Sequence, residues 1–211
     1  SLFNVCFSLF GQGDVVAIPA PAWVSYPQIV HLTRARPVLI AGHPEWGLKV
    51  SVRELERILP APKGLILCSP CNPTGSVYTL AELRSIAQWA TERKVWVIAD
   101  EIYRRIHYGT GPAPSFLDLS DDLLDRVVIV TGVSKAYAMT GWRVGLALAP
   151  GPVAKAMAAL QSHTTSGANH MAQYAAAAAY ADDRVEQDVA RMVAEFRKRR
   201  DFVVSRFRRD L

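Results

Sequence analysis

Only three cysteines occur among the 211 residues, Cys6, Cys68 and Cys71, too few for a disulfide scaffold. The opening residues lack the basic, apolar and small-residue order of a signal peptide, so a reducing cytoplasm is the expected compartment. No apolar run is clean enough to cross a bilayer. The longest uncharged stretch, Ala156 to Ala181, carries His163, His170, Gln161, Gln173, Asn169 and several hydroxyls, and no membrane partner is expected. Internal repeats and Gly/Ser-rich or Pro-rich linkers are absent. Pro and Gly punctuate the first 150 residues, which excludes a coiled coil, and an apolar half of the composition excludes disorder. What is left is one folded domain, or one domain and a fragment.

The formal net charge of +5 is local rather than global. Arg191 to Leu211 holds eight Lys/Arg against three Asp/Glu, while the rest of the chain carries sixteen of each sign. Within that stretch Met192, Val193, Phe196, Phe202, Val203 and Phe207 recur at roughly helical spacing. The arginines are then the wet side of an amphipathic helix, and no nucleic-acid partner is expected. The chain starts at Ser1 rather than Met, and Leu2 to Phe10 reads as the middle of an apolar helix, so a piece of a longer protein is expected.

Short apolar, β-branched runs alternate with helical stretches. The strand candidates are Val15 to Ile18, Pro37 to Ile40, Gly64 to Cys68, Val95 to Ala99, Val127 to Thr131 and Gly145 to Ala149. Helices are expected near Trp23 to Leu32, Val52 to Leu59 and Leu80 to Arg93. After Pro150 the pattern is helical only: Val153 to Gln161, an alanine-rich run near Met171 to Tyr180, and a last helix from about Asp183. This rhythm predicts an α/β fold of three layers, α/β/α, around a mostly parallel mixed sheet.

In such sheets ligands bind beyond the carboxyl ends of the strands. Three strand ends there carry polar groups: Asn72 in Ser69-Pro-Cys-Asn-Pro-Thr-Gly75, Asp100 with Tyr103, and Ser134-Lys135 after Gly132. A lysine just past a buried strand, stripped of water and set beside cations, is an amine ready to condense with a carbonyl. Arg143, eight residues on, offers a bidentate fork for a phosphate, helped by backbone N–H groups around Gly132 to Ser134. Amine and phosphate grip together suggest pyridoxal phosphate. Asp100 would meet the opposite charge it lacks in a pyridinium nitrogen, whereas its neighbour Glu101 is expected to point to the other side of the chain. Asn72 and Tyr103 could hydrogen-bond the ring's phenolic oxygen, and the Trp23 indole could stack on the ring. Taken singly, each has a blander account: a surface lysine, a helix cap, a packed indole.

Taken in order, Trp23, Asn72-Pro-Thr-Gly75, Asp100 with Tyr103, Ser134-Lys135 and Arg143 resemble the class I/II pyridoxal-phosphate-dependent aminotransferases. Gly132 to Gly145 is similar to that family's lysine-attachment motif, and the resemblance spans essentially the whole chain. It implies Lys135 as Schiff-base lysine and catalytic base, Asp100 as partner of the pyridine nitrogen, and Tyr103 and Asn72 on the phenolic oxygen. Arg143 and Ser134 would hold the phosphate, Trp23 would stack, and Trp23 and Asn72 would also meet substrate. The implied activity is amino-group transfer between an amino acid, aspartate or a similar one, and a 2-oxo acid, in a homodimer.

Members of that family are roughly twice this length. The resemblance therefore implies an N-terminally incomplete large domain over residues 1–182, and over 183–211 the start of a long helix leading to an absent small domain. Weak cofactor binding and little turnover are expected of the chain alone. Two other functions stay open on the sequence: a carbon–sulfur lyase using the same residues, and a catalytically silent interaction module with a basic terminal helix. Cys68-Ser-Pro-Cys71 has redox or zinc spacing, but no second pair or nearby histidines complete a metal site.

Overall fold

Alternation along the strands sorts side chains onto two faces, and both faces are covered. The computed structural model describes residues 1–210. Six strands form one sheet: β1 (Val15–Ala20), β2 (Arg36–Ala41), β3 (Gly64–Cys68), β4 (Trp96–Asp100), β5 (Val127–Gly132) and β6 (Gly145–Leu148). Their order is β2-β1-β3-β4-β5-β6. All pairs are parallel except β5 with β6. Each expected strand is present, its bounds displaced by at most two residues.

Seven helices accompany the sheet: α1 (Leu2–Leu9), α2 (Ser25–Leu32), α3 (Val52–Leu55), α4 (Leu80–Arg93), α5 (Gly151–Thr164), α6 (His170–Ala181) and α7 (Asp183–Asp210). Odd-numbered residues of β1, β3, β4 and β5, such as Val15, Leu65, Val97 and Ile129, pack with Leu83, Ile86 and Trp89 of α4 and with Phe116. Even-numbered ones, Val16, Ile66, Ile98 and Val130, pack with Val5 of α1, Tyr26 of α2 and Met157 of α5. The period of two is thus the physical basis of the three layers. Gly64 has a packing role here, because a Cβ on it would lie 2.2 Å from the Phe10 ring.

Three helices differ from expectation, and one of them, α5, is longer at both ends, Gly151–Thr164 against the expected Val153 to Gln161. The chain turns until Ser25 before α2 begins, which leaves Trp23 on the turn. Ser51 and Glu54 form a capping box at α3, yet the helix ends at Leu55 rather than Leu59. Pro60 and Pro62 follow closely, and a residue before proline is pushed out of the helical region. At α4 the capping box of Thr79 and Glu82 is complete, with Thr79 N–H donating to Glu82 Oε2 at 2.7 Å.

Beyond the sheet, α6 and the first half of α7 pack on the segment that follows β5. Ala172, Ala176, Ala179 and Val189 meet Val133, Ala136, Tyr137 and Val144. Further along α7 the apolar side is exposed, Phe202 and Phe207 by 65% and 60%. The basic end exposes its apolar side as well as its charged one, and reaches back to the domain where Arg197 donates to Tyr108 O and Arg200 lies over the Tyr108 ring at 4.6 Å. Among the described residues no helix is long and apolar enough to cross a membrane.

Candidate active site

Four strand ends and the turn before β6 converge on one cleft of about 530 Å³. Its walls hold Trp23, Asn72, Asp100, Tyr103, Ser134, Lys135 and Arg143, so all seven residues singled out by sequence meet in one place. A volume of that size suits a small organic ligand.

Asp100 is the last residue of β4 and faces the α1–α2–α5 side by parity with Ile98. It is 4% exposed, and its Oδ1 accepts from Ile102 N–H at 3.1 Å. Its Oδ2 accepts from the Tyr26 hydroxyl at 2.6 Å. Burial raises the Asp100 carboxyl above its usual range, and the Tyr26 bond opposes that shift. None of the side-chain ion pairs among the described residues involves Asp100. A buried acid with spare lone pairs and no basic side chain beside it suits a ligand bearing a protonated ring nitrogen.

Glu101, one residue on, turns to the opposite face. There it accepts two contacts from Ser115 Oγ, at 2.8 and 2.7 Å, and one from Phe116 N–H at 3.1 Å. It is as buried as Asp100 but belongs to the α4 layer.

Asn72 is presented by a loop closed on itself: Cys71 N–H donates to Ser76 O and Gly75 N–H to Cys71 O, with Gly75 at φ +71° making the turn. The Lys135 ammonium stands 5.8 Å from the centre of the Tyr103 ring. Gly132 pairs with Gly145 where β5 meets β6, and a Cβ at Gly132 would come within 2.8 Å of Val144 O. Arg143 has left-handed backbone at φ +57°, uncommon for a side-chain-bearing residue and a local strain at this rim. One of its guanidinium nitrogens donates to Thr140 O at 3.0 Å, leaving other N–H groups for an anion.

Tyr26 escaped the sequence reading. Its one signal is the spacing of three from Trp23, which places both on one side of the helix start, and the two rings meet edge to face at 5.4 Å. Its partner Asp100 is 74 residues away in sequence.

A mixed α/β sheet with an amine, a buried acid and an arginine gathered beyond its strand ends defines a ligand-binding domain of the doubly covered α/β class. The family model for aminotransferase class I and II matches residues 1–210, and the chain belongs to that family. It is 39% identical over 204 residues to the aspartate aminotransferase of Geobacillus stearothermophilus, covering 96% of this chain and 51% of that one. It is also 39% identical over 206 residues to the probable aspartate/prephenate aminotransferase of Rhizobium leguminosarum bv. phaseoli, covering 97% and 51%. Among solved structures, the aspartate aminotransferase from Rhizobium meliloti superposes with a TM-score of 0.91 at 37% identity, covering 97% of this chain and 51% of that one. The chain thus spans about half the length of these relatives.

Proposed function

We propose that this chain is the cofactor-binding part of a pyridoxal-phosphate-dependent aminotransferase that moves an amino group between an amino acid, aspartate or a similar one, and a 2-oxo acid. The observation that carries the proposal is Asp100: a buried carboxylate, in no ion pair with a Lys, Arg or His side chain, on the wall of the cleft that also holds the Lys135 amine. The names of the relatives, aspartate and aspartate/prephenate aminotransferases, support the substrate class.

When bound, pyridoxal phosphate supplies an aldehyde that condenses with amines and a ring that draws off electron density. Each side chain then has a task. Asp100 accepts from the ring N–H and keeps that nitrogen protonated, while the Tyr26 hydroxyl holds Oδ2 and keeps the carboxylate ionised. Asn72 and Tyr103 donate to the phenolic oxygen, Arg143 and Ser134 grip the phosphate, and Trp23 covers a face of the ring. Lys135 Nζ takes the proton from the substrate α-carbon, a transfer speeded because amine and C–H are held side by side. Asn72 and Trp23 also meet the substrate.

Arg143 and Lys135 are the only Lys or Arg side chains on the cleft wall among the described residues. With Arg143 on the phosphate and Lys135 at the α-carbon, the substrate carboxylate has no guanidinium of its own here. Low turnover by the chain alone follows from that shortage. We assign residues 1–182 to the cofactor-binding large domain and the segment 183–211, of which α7 takes Asp183–Asp210, to the lead toward a small domain, and we expect a cytoplasmic homodimer, its dimeric state checked by sedimentation.

The test is covalent capture: incubation with pyridoxal phosphate, reduction with borohydride and peptide mapping by mass. The expected label is on Lys135, and Lys135→Ala abolishes it. Label spread over the other lysines with Lys135 unmodified overturns the proposal.

A further inference from the structure

Lys135 and Tyr103 reach the cleft on separate segments, and two residues beyond each of them the segments are joined. Tyr103 lies in the turns after β4, where Arg104 N–H donates to Glu101 O at 2.9 Å and Ile106 N–H to Tyr103 O at 2.8 Å. Lys135 lies in the turns after β5, where Tyr137 N–H donates to Val133 O and Ala138 N–H to Lys135 O, each at 3.3 Å. Between the two, Arg105 Nη1 donates to the Tyr137 hydroxyl at 3.1 Å, and the guanidinium carbon is 5.8 Å from the centre of the Tyr137 ring. The other terminal nitrogen, Nη2, pairs with Glu186 in the first turn of α7. One side chain therefore holds the Tyr103 turn, the Lys135 segment and α7.

We propose that Arg105 is a positioning residue for the amine: by gripping Tyr137 it clamps the Lys135 segment to the Tyr103 turn and keeps the ammonium over the Tyr103 ring. The importance of that placement rests on the reading of Lys135 as the reacting amine; the clamp itself does not. An amine that must meet a carbonyl carbon has to be held within a fraction of an ångström, and a group outside the cleft can supply that hold through the backbone.

Tyr137 is a firm anchor for such a clamp. Its ring is buried in the apolar cluster with Val133, Val144 and Ala176, and the Tyr180 ring meets it edge to face at 5.1 Å. The pair of Arg105 with Glu186 lies partly in water and is screened. The hydrogen bond from a charged donor to the hydroxyl of a buried tyrosine is the stronger of the two holds, and Glu186 steadies the guanidinium that makes it. Arg104, on the same turn, is engaged elsewhere: it donates to Ala113 O at 3.1 Å and pairs with Asp118 at 3.1 Å. It serves as a control that touches the turn without touching the Lys135 segment.

The first readout needs no cofactor. Lysines are converted to their carbon-13 dimethyl forms with formaldehyde and cyanoborohydride, and the Lys135 signal, identified by its loss in Lys135→Arg, carries the ring-current shift of Tyr103, which Tyr103→Leu removes. Arg105→Ala and Tyr137→Phe are each expected to shrink that shift, and the double variant to shrink it no further than either alone. The second readout is borohydride capture of pyridoxal phosphate by the unmodified chain, scored at Lys135 against the exposed Lys155 of α5. It is expected to slow about tenfold in the same variants. Arg104→Ala leaves both readouts as in the wild type, whatever it does to Tm. A Lys135 signal insensitive to Tyr103→Leu, a shift that survives Arg105→Ala while Tm falls, or an equal loss in Arg104→Ala overturns the proposal. Tyr137→Phe keeps the buried ring and decides the matter where Arg105→Ala does not fold. Failure of wild-type Lys135 to take any label counts against the pyridoxal phosphate reading instead, and the cofactor-free shift still decides the clamp.

Discussion

The Tyr26 hydroxyl donates to Asp100 Oδ2 at 2.6 Å, tying the helix after β1 to the last residue of β4. Tyr26→Phe leaves the buried carboxylate with the Ile102 N–H as its single donor. The expected cost is about 1–3 kcal/mol in urea unfolding. Since the Tyr26 bond opposes the upward shift caused by burial, the Asp100 carboxyl titrates at still higher pH in the variant, as carbon-detected NMR would show. An unmoved titration would mean that the hydroxyl does not hold the acid.

Burial raises both Asp100 and Glu101 above their ordinary values of 3.8 and 4.5. Between the unfolded and the folded values the native chain binds more protons than the unfolded one. The contribution to stability is fully present below the unfolded values and is lost as pH rises through the folded ones. Asp100→Asn removes one of the two groups, so its stability falls less steeply over that window. Chemical denaturation at a series of pH values measures the slope; an unchanged slope contradicts the assignment of Asp100.

Glu101 is a structural acid, and its removal from partners has a different signature. Ser115→Ala takes away the hydroxyl that contacts both carboxylate oxygens. Stability is expected to drop by about 1–3 kcal/mol, the cost of an unsatisfied buried polar group. Borohydride capture at Lys135, scored on the folded fraction, stays as in the wild type because Glu101 is on the opposite face. Loss of capture in the folded variant would link the two faces after all.

Gly132→Ala puts a methyl group 2.8 Å from Val144 O, backbone that cannot swing aside. The β5–β6 pair must part beside Ser134 and Lys135 or the strands must shift. Overpacking of this kind costs about 1–3 kcal/mol. Thermal unfolding and Lys135 capture are both expected to decline, whereas Gly11→Ala, where a Cβ meets nothing within 4 Å, leaves both unchanged.

Much of the fold was legible because its causes are local. Gly64–Cys68 is uniformly apolar, and it is buried at every position in the middle of the sheet. The alanine-rich run became α6 by propensity, with Asn169 capping it through Ala172 N–H at 3.1 Å. The bounds of α3 were harder to read, since its helical pattern continues to Leu59 while the prolines beyond end it early. The exposed apolar side of α7 beyond Val193 was not legible either. Helical spacing shows which residues share a side, not whether anything covers it.

Residue types and their order determined the strands, the helices and the set of seven side chains, because strand alternation, proline stops and motif spacing are written along the chain. The tertiary structure decided which acid faces the cleft, how Tyr26 reaches Asp100 and how the loop from Cys71 to Ser76 closes to present Asn72. The first depends on a strand reversing side with each residue, so that a one-residue slip in the register of β4 would exchange Asp100 and Glu101. The others depend on chain segments brought together by packing or by a tight loop, and hydrogen bonds form between atoms that are near in space, whatever their separation in sequence.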